Sequence, residues 1–236
     1  MHHVVVESWS RRSSPLHARD ARSKLGALLV FLIAVSTTSP RAQLAFAGYA
    51  LLLLAALIAA RLPLLSVLTR AALVLPFSAT FALITWWAGD PARAISLAEK
   101  SFLSGLAVLL TIATTPWNDL VHGLEWMGVP RFLLLVIQFV YRYLFVISEQ
   151  AQHMRLAAIS REGTRRVGSV RFRAAAGALG VLFARSWERA EGIHRAMLAR
   201  GFSGQILSLE HMHFHAADVV FFFAAAAAAI AVRLSL

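Results

Sequence analysis

Two arginines in this 236-residue chain stand in settings suited to one kind of chemistry. Ala184-Arg185-Ser186 and Ala199-Arg200-Gly201 are small-Arg-small triplets. A guanidinium offers a planar fork of donors that matches a carboxylate, and small neighbours let a partner's backbone come close. The arginines are 15 positions apart, about 22 Å along a continuous helix. Each triplet therefore reads as a plug for an acidic socket. Spacing alone favours a second reading, in which both are solvated or snorkelling residues near a membrane surface.

The element that must carry them reads as one amphipathic helix. Phe172, Ala175, Ala176, Leu179, Leu182, Phe183, Trp187, Ala190, Ile193 and Met197 recur at steps of three or four residues. Arg173, Arg185, Glu188, Arg189, Glu191 and Arg195 fall on other faces, and Glu191 precedes Arg195 in the favourable i,i+4 order. Arg200 followed by Gly201 marks the helix end.

Around that helix the chain is too apolar for a fold with a water-facing surface. Hydrophobic residues make up 58% and charged residues 15%, with a mean hydropathy of +0.66. Such a composition excludes intrinsic disorder, and zero cysteines exclude disulfide scaffolds, thiolate metal sites, iron-sulfur clusters and cysteine nucleophiles. The net charge of +11 points to basic loops held on one side of a membrane rather than to a nucleic-acid surface. No basic-aromatic sheet pattern supports nucleic-acid binding, and Trp117, Trp126 and Trp187 read as interface anchors or packing residues.

Six apolar runs are candidate membrane spans: Leu25 to Thr38, Ala42 to Ala60, Ala71 to Trp87, Ser101 to Thr115, Arg131 to about Ile147, and Val219 to Val232. Leu64 to Leu68, flanked by Arg61 and Arg70, reads as a short interfacial stretch, and Trp117 to Met127 as another. Residues 151–215 hold ten arginines against four glutamates and no run long enough to cross, which places them in the cytoplasm by the positive-inside tendency. Five crossings before that segment would put the basic N-terminal arm on the opposite side. One short run must then be re-entrant or interfacial, and Leu25 to Thr38 and Ser101 to Thr115 are the shortest.

The stretch from Phe183 through Arg185, Ser186, Trp187, Glu188 and Glu191, continuing through His194-Arg195-Ala196-Met197-Leu198-Ala199-Arg200-Gly201-Phe202, resembles the signature of the transmembrane T component of energy-coupling factor transporters. It is most similar to the CbiQ type, which serves cobalt or nickel uptake. Weaker agreement covers Asp20 to Lys24, Thr114-Thr115-Pro116 with Asp119, and Arg142. Ser186 stands where many relatives have Gly, and Asp20 is followed by Ala21 rather than Pro.

The resemblance implies an all-α integral membrane protein of about five or six membrane helices plus cytoplasmic amphipathic coupling helices. It divides the chain into a basic N-terminal arm (1–24), membrane helices (25–150), a cytoplasmic coupling segment (151–215) and a C-terminal membrane helix (216–236). It also implies that Ala184, Arg185, Ser186, Ala199, Arg200 and Gly201 dock into two ATP-binding cassette ATPase subunits in the cell inner membrane. The other implied partners are a substrate-binding membrane S component for cobalt or nickel and a small accessory membrane subunit. The chain would then be no enzyme and carry no cofactor; it contains no G-x-x-x-x-G-K-[ST] for a nucleotide of its own.

Other residues invite chemistry. Arg142 lies in an apolar run, where an ionisable group is costly, and reads as a structural charge that ties helices together. His211, Met212, His213 and His215 suit nickel, cobalt or copper by donor type, yet the histidines share a face only on an extended strand and lack a carboxylate to orient them. An interfacial His-rich turn accounts for them, and His2 and His3 read as an incidental exposed terminus; no metal ligand is assigned. Ala174 to Gly180 and Ala224 to Ala229 would let helix backbones approach closely. The competing functions are a small lipid-acting membrane enzyme using Arg142, Asp119 and Glu125, which lacks an evident nucleophile and base, and a membrane adaptor without transport function.

Overall fold

The computed structural model describes residues 9–10, 12–162, 168–202, 204 and 215–234, with side chains withheld at 161–171. Local signals start each helix where the sequence places them. Asp20 caps α1 (Ala21–Thr37) by accepting from the Arg22 N–H at 2.8 Å. After α2 (Gln43–Ala59) come α3 (Leu64–Ala71) and α4 (Leu75–Trp87), joined by a single 3-10 turn over Ala72–Val74. Asp90 then caps α5 (Pro91–Ala113), with Pro91 at the first position, where a missing N–H costs nothing. Pro116 precedes α6 (Trp117–Trp126), Pro130 precedes α7 (Arg131–Glu162), and α8 (Gly168–Ala199) and α9 (Ala216–Leu234) follow. Among the described residues there is no strand, so the protein is all-α.

Four stretches are long and apolar enough to cross a membrane: Leu64–Trp87, Pro91–Ala113, Arg131–Ser160 and Ala216–Leu234, with Gln43–Ala59 a shorter apolar helix. Leu64 to Leu68 is not a separate interfacial piece. The 3-10 turn carries the helix onward without a break, so this stretch is the first part of a 24-residue rod. Residue 150, where the composition changes, lies inside α7.

The chain divides into two compact units, Met1–Gly128 with His211–Leu236, and Val129–Glu210. The apolar core belongs to the first, around Val35, Tyr49, Leu57, Val67, Leu106 and Ala113, all fully or almost fully buried. Both α1 and α5 are integral to it. They run antiparallel, and each supplies a lysine to the other's C-terminus. Lys24 Nζ donates to the Thr114 carbonyl at the end of α5 (2.9 Å), and Lys100 Nζ donates to the Ser36 and Thr38 carbonyls at the end of α1 (2.9 and 2.7 Å). The last carbonyls of a helix have no partner within it, and a cation there also meets the negative end of the helix dipole.

Several contacts fix the directions of the remaining helices. Tyr49 on α2 meets Phe31 edge-on at 5.5 Å between ring centres and reaches the Thr38 hydroxyl at 3.1 Å. Asp218, nearly fully buried, accepts the His215 N–H at the start of its own helix (3.0 Å) and the Asp20 N–H at the start of α1 (3.2 Å). Further along, a Cβ on Gly26 would lie 2.9 Å from the Phe222 ring. Thus α1 and α9 are parallel neighbours. The N-terminal arm, read as polar and basic, is pinned here from Trp9 onward: Trp9 is buried, and the Arg70 guanidinium stacks on its ring at 4.5 Å.

Lys24, just before the apolar part of α1, is 5% exposed. Burial pushes its ammonium down to about 8, against the pull of Asp119, Asp20 and Asp218. Its folded value lies below the ordinary 10.5, so between those pH values the unfolded chain binds more protons and stability rises with pH. The denaturation midpoint should climb from pH 8 to pH 10 in the parent and climb less in Lys24→Met. Arg61 closes α2 with a left-handed φ of +53°, which a side chain disfavours. Arg61→Gly should gain about 1 kcal/mol in chemical denaturation.

Candidate functional site

The second unit consists of α7 and α8. Helix α8 runs unbroken over 32 residues, carries the first arginine triplet and ends inside the second, at Ala199, as the three- and four-residue periodicity predicts. Ser186 Oγ donates to the Leu182 carbonyl (2.7 Å), which satisfies the hydroxyl inside the helix and leaves the Arg185 side chain without a local claimant. Glu191 and Arg195 pair at 3.5 Å, in the i,i+4 order read from the sequence.

The second triplet forms the helix end. The Gly201 N–H donates to Leu198 O and the Phe202 N–H to Met197 O, both at 3.0 Å, with Gly201 at φ +79°. This is the Schellman arrangement, with Arg200 at the C-cap and Gly201 in the left-handed position that only glycine adopts freely. The motif thus has a structural cause at its last residue: without Gly201 the chain could not turn away directly after Arg200.

Arg185 and Arg200 are both exposed, and neither side chain forms a hydrogen bond or ion pair with another described residue. A groove of about 740 Å³ opens within this unit, lined by Phe132, Val136, Phe139, Tyr143 and Leu144 of α7 and by Ala190, Ile193 and Met197 of α8. Arg189 and His194 also line it, whereas Arg185 and Arg200 do not. Helix α8 therefore presents an apolar face to the groove, and two guanidinium groups unclaimed by any described residue stand on it and at its C-cap, away from the groove.

Among the other residues singled out in the sequence, Arg142 is exposed and stands 5.9 Å from the Tyr143 ring centre, with no ion pair to a described residue. Glu149 meets His153 instead, at 3.7 Å. In the first unit, Asp119 acts on the buried Lys24, and Glu125 stands 3.8 Å from His122. His2, His3, His211, Met212 and His213 lie outside the described residues, and the His215 backbone N–H is held by Asp218. No group of three or more candidate metal ligands occurs among the described residues. Sequence reading missed Lys100, Trp9 and Asp218, since each meets a partner more than 60 positions away. The sole hint was a charge inside or beside an apolar run.

The chain matches the family of cobalt transport proteins CbiQ over residues 12–212. It belongs to that family. The energy-coupling factor transporter transmembrane protein EcfT of Bacillus selenitireducens is 28% identical over 85% of this chain and 84% of its own. The cobalt transport protein CbiQ of Rhodobacter capsulatus is 30% identical over 49% of this chain and 47% of its own. An uncharacterized protein of Methanocaldococcus jannaschii is 24% identical over 92% and 82%. With its apolar helices, this CbiQ-family chain is a multi-pass membrane component of cobalt transport, and the family is one of transporter components rather than enzymes.

Because a Cβ on Gly201 would meet nothing within 4 Å, Gly201→Ala tests the backbone alone. Its left-handed φ should cost about 1 kcal/mol. Hydrogen exchange at the Gly201 and Phe202 amides should quicken roughly five-fold, with the rest of α8 unchanged.

Proposed function

We propose that the chain is the transmembrane coupling subunit of an energy-coupling factor importer for cobalt or nickel in the cell inner membrane. In this reading Arg185 and Arg200 each enter an acidic groove on one of two ATP-binding cassette ATPase subunits. Their opening and closing moves α8, and α8 passes the motion to a separate substrate-binding membrane subunit. ATP is hydrolysed by the partners, and the ion is captured by the substrate-binding subunit rather than by ligands of this chain.

One observation carries the proposal: two exposed guanidinium groups, unclaimed by any described residue, stand on a single unbroken helix and at its C-cap. A continuous helix is stiff along its axis, so two anchor points about 22 Å apart would move as one body. An arginine held by a partner carboxylate in a water-excluded groove can bear such a load, because loss of one member costs about 2 to 5 kcal/mol, far above the worth of an exposed pair. Family membership and the relative named EcfT support the same reading.

The deciding experiment expresses the chain with its ATPase and substrate-binding partners and measures both co-purification and ion uptake. Arg185→Ala and Arg200→Ala should each cut uptake at least about ten-fold, equal to about 1.4 kcal/mol of lost coupling. The double variant should release the ATPase subunits while the chain remains in the membrane. Arg→Lys should rescue poorly, since an ammonium cannot reproduce the two-point fork. Unchanged uptake in the double variant would remove the coupling role.

A further inference from the structure

The N-terminal arm before α1 is tied to four helices at one end of the first unit. Trp9 lies in the apolar core, with the Arg70 guanidinium of α3 over its ring. The His17 carbonyl accepts from Lys24 Nζ of α1 at 3.4 Å, while the same ammonium donates to the Thr114 carbonyl at the end of α5 at 2.9 Å. Asp218 of α9 accepts the Asp20 N–H at 3.2 Å and stands 3.8 Å from the Arg19 guanidinium. Two further bonds fold the arm on itself: His17 Nε2 meets the Trp9 carbonyl at 3.0 Å, and Nδ1 meets the Ser14 hydroxyl at 2.7 Å. We propose that this arm is a proton-sensitive strap, which closes over Lys24 and His17 and lifts from the bundle when both carry a proton.

The hydrogen bonds of the closed arm suit a neutral His17. A carbonyl can only accept, so the ring proton sits on Nε2, and Nδ1 takes the proton of the Ser14 hydroxyl. A second ring proton would occupy Nδ1 and reverse that bond, although Ser14 Oγ already accepts the His17 backbone N–H at 3.3 Å. It would also set a positive ring near Lys24 and Arg12. Burial, together with those two cations, holds His17 below its ordinary 6.5, against the backbone bonds at Trp9 and Ala113. Lys24 is almost fully buried. Facing it are Asp119 from α6, Asp218 from α9, Asp20 and Arg19 from the arm, and the Thr114 carbonyl from α5. The three carboxylates favour its charge, yet burial outweighs them and pushes the ammonium down to about 8.

Lifting the arm withdraws the His17 carbonyl and admits water to both groups, so each returns toward its ordinary value. The open form then binds more protons than the closed one, and falling pH favours opening. Lys24 acts between pH 10.5 and about 8, and His17 acts below 6.5. Each changes the open-to-closed ratio by up to about ten-fold per pH unit within its range. Trp9 opposes both, since opening carries a core aromatic into water.

The chain has no cysteine, so spin labels can be placed singly at Ser13→Cys on the arm and Thr69→Cys beside Arg70, both exposed positions. The pair reports the arm-to-α3 distance without a titrating probe. In the full chain in lipid nanodiscs, double electron-electron resonance should show one short distance at pH 10 and a second, longer one whose share grows toward pH 5. Lys24→Met should remove the step above pH 8, and His17→Gln the step below pH 6.5. Trp9→Ala should raise the longer component at every pH and leave both steps in place, which brings a small opening into range. A distribution unchanged between pH 5 and pH 10 in both the parent and Trp9→Ala would overturn the proposal. So would opening that grows with rising pH, or steps that persist in the Lys24→Met, His17→Gln double variant. None of these outcomes bears on whether Arg185 and Arg200 hold the ATPases.

Discussion

The first unit depends on a requirement at helix ends: the last carbonyls have no partner within their own helix and must find donors outside it. Helices α1 and α5 meet it for each other. Lys24 closes the end of α5, and Lys100 closes the end of α1. Because the two lysines act at opposite ends of an antiparallel pair, they fix its register in both directions, and a slide of one turn would break both sets of bonds. Everything else in the unit is placed against that pair. Tyr49 locks α2 to α1, α6 lies across the start of α1, and the buried Asp218 binds the backbone there so that α9 runs alongside.

The second unit is organised by the opposite condition. Its described part contributes Leu134 alone to the buried apolar residues, and both helices keep large side chains exposed. Two helices in that state have little cohesion of their own and derive their energy from what they meet outside. The two guanidinium groups fit this picture. Arg185 and Arg200 donate to no other side chain among the described residues, whereas Arg195 is engaged with Glu191. One unit with an apolar core and one helix pair with exposed apolar faces fit a transporter membrane component.

Helix α8 was legible because its determinants are local. The apolar face from Phe172 to Met197 sets its length, and Gly201 sets its end, since backbone geometry at that position tolerates little else. The same holds for the starts at Asp20 and Asp90 and for the prolines ahead of α6 and α7. Leu64 to Leu68 misled for a related reason. Its flanking arginines mimic an interfacial segment, and nothing in local composition records that a 3-10 turn will carry the helix straight through. Trp9 was hidden in a polar arm because its burial rests on Arg70, sixty-one positions later.

By itself the sequence determined the helical class, the membrane character, the periodic face of α8 and the two arginine triplets that tie the chain to its family. These follow from composition and from steps of three or four residues, which propagate without reference to the rest of the chain. Only tertiary structure decided that α1 and α5 are full members of the core and that α1 and α9 are parallel. Hydropathy measures whether a segment tolerates lipid but carries no direction. Direction is set by contacts such as Lys24 with Thr114 and Asp20 with Asp218, made between residues 90 and 198 positions apart.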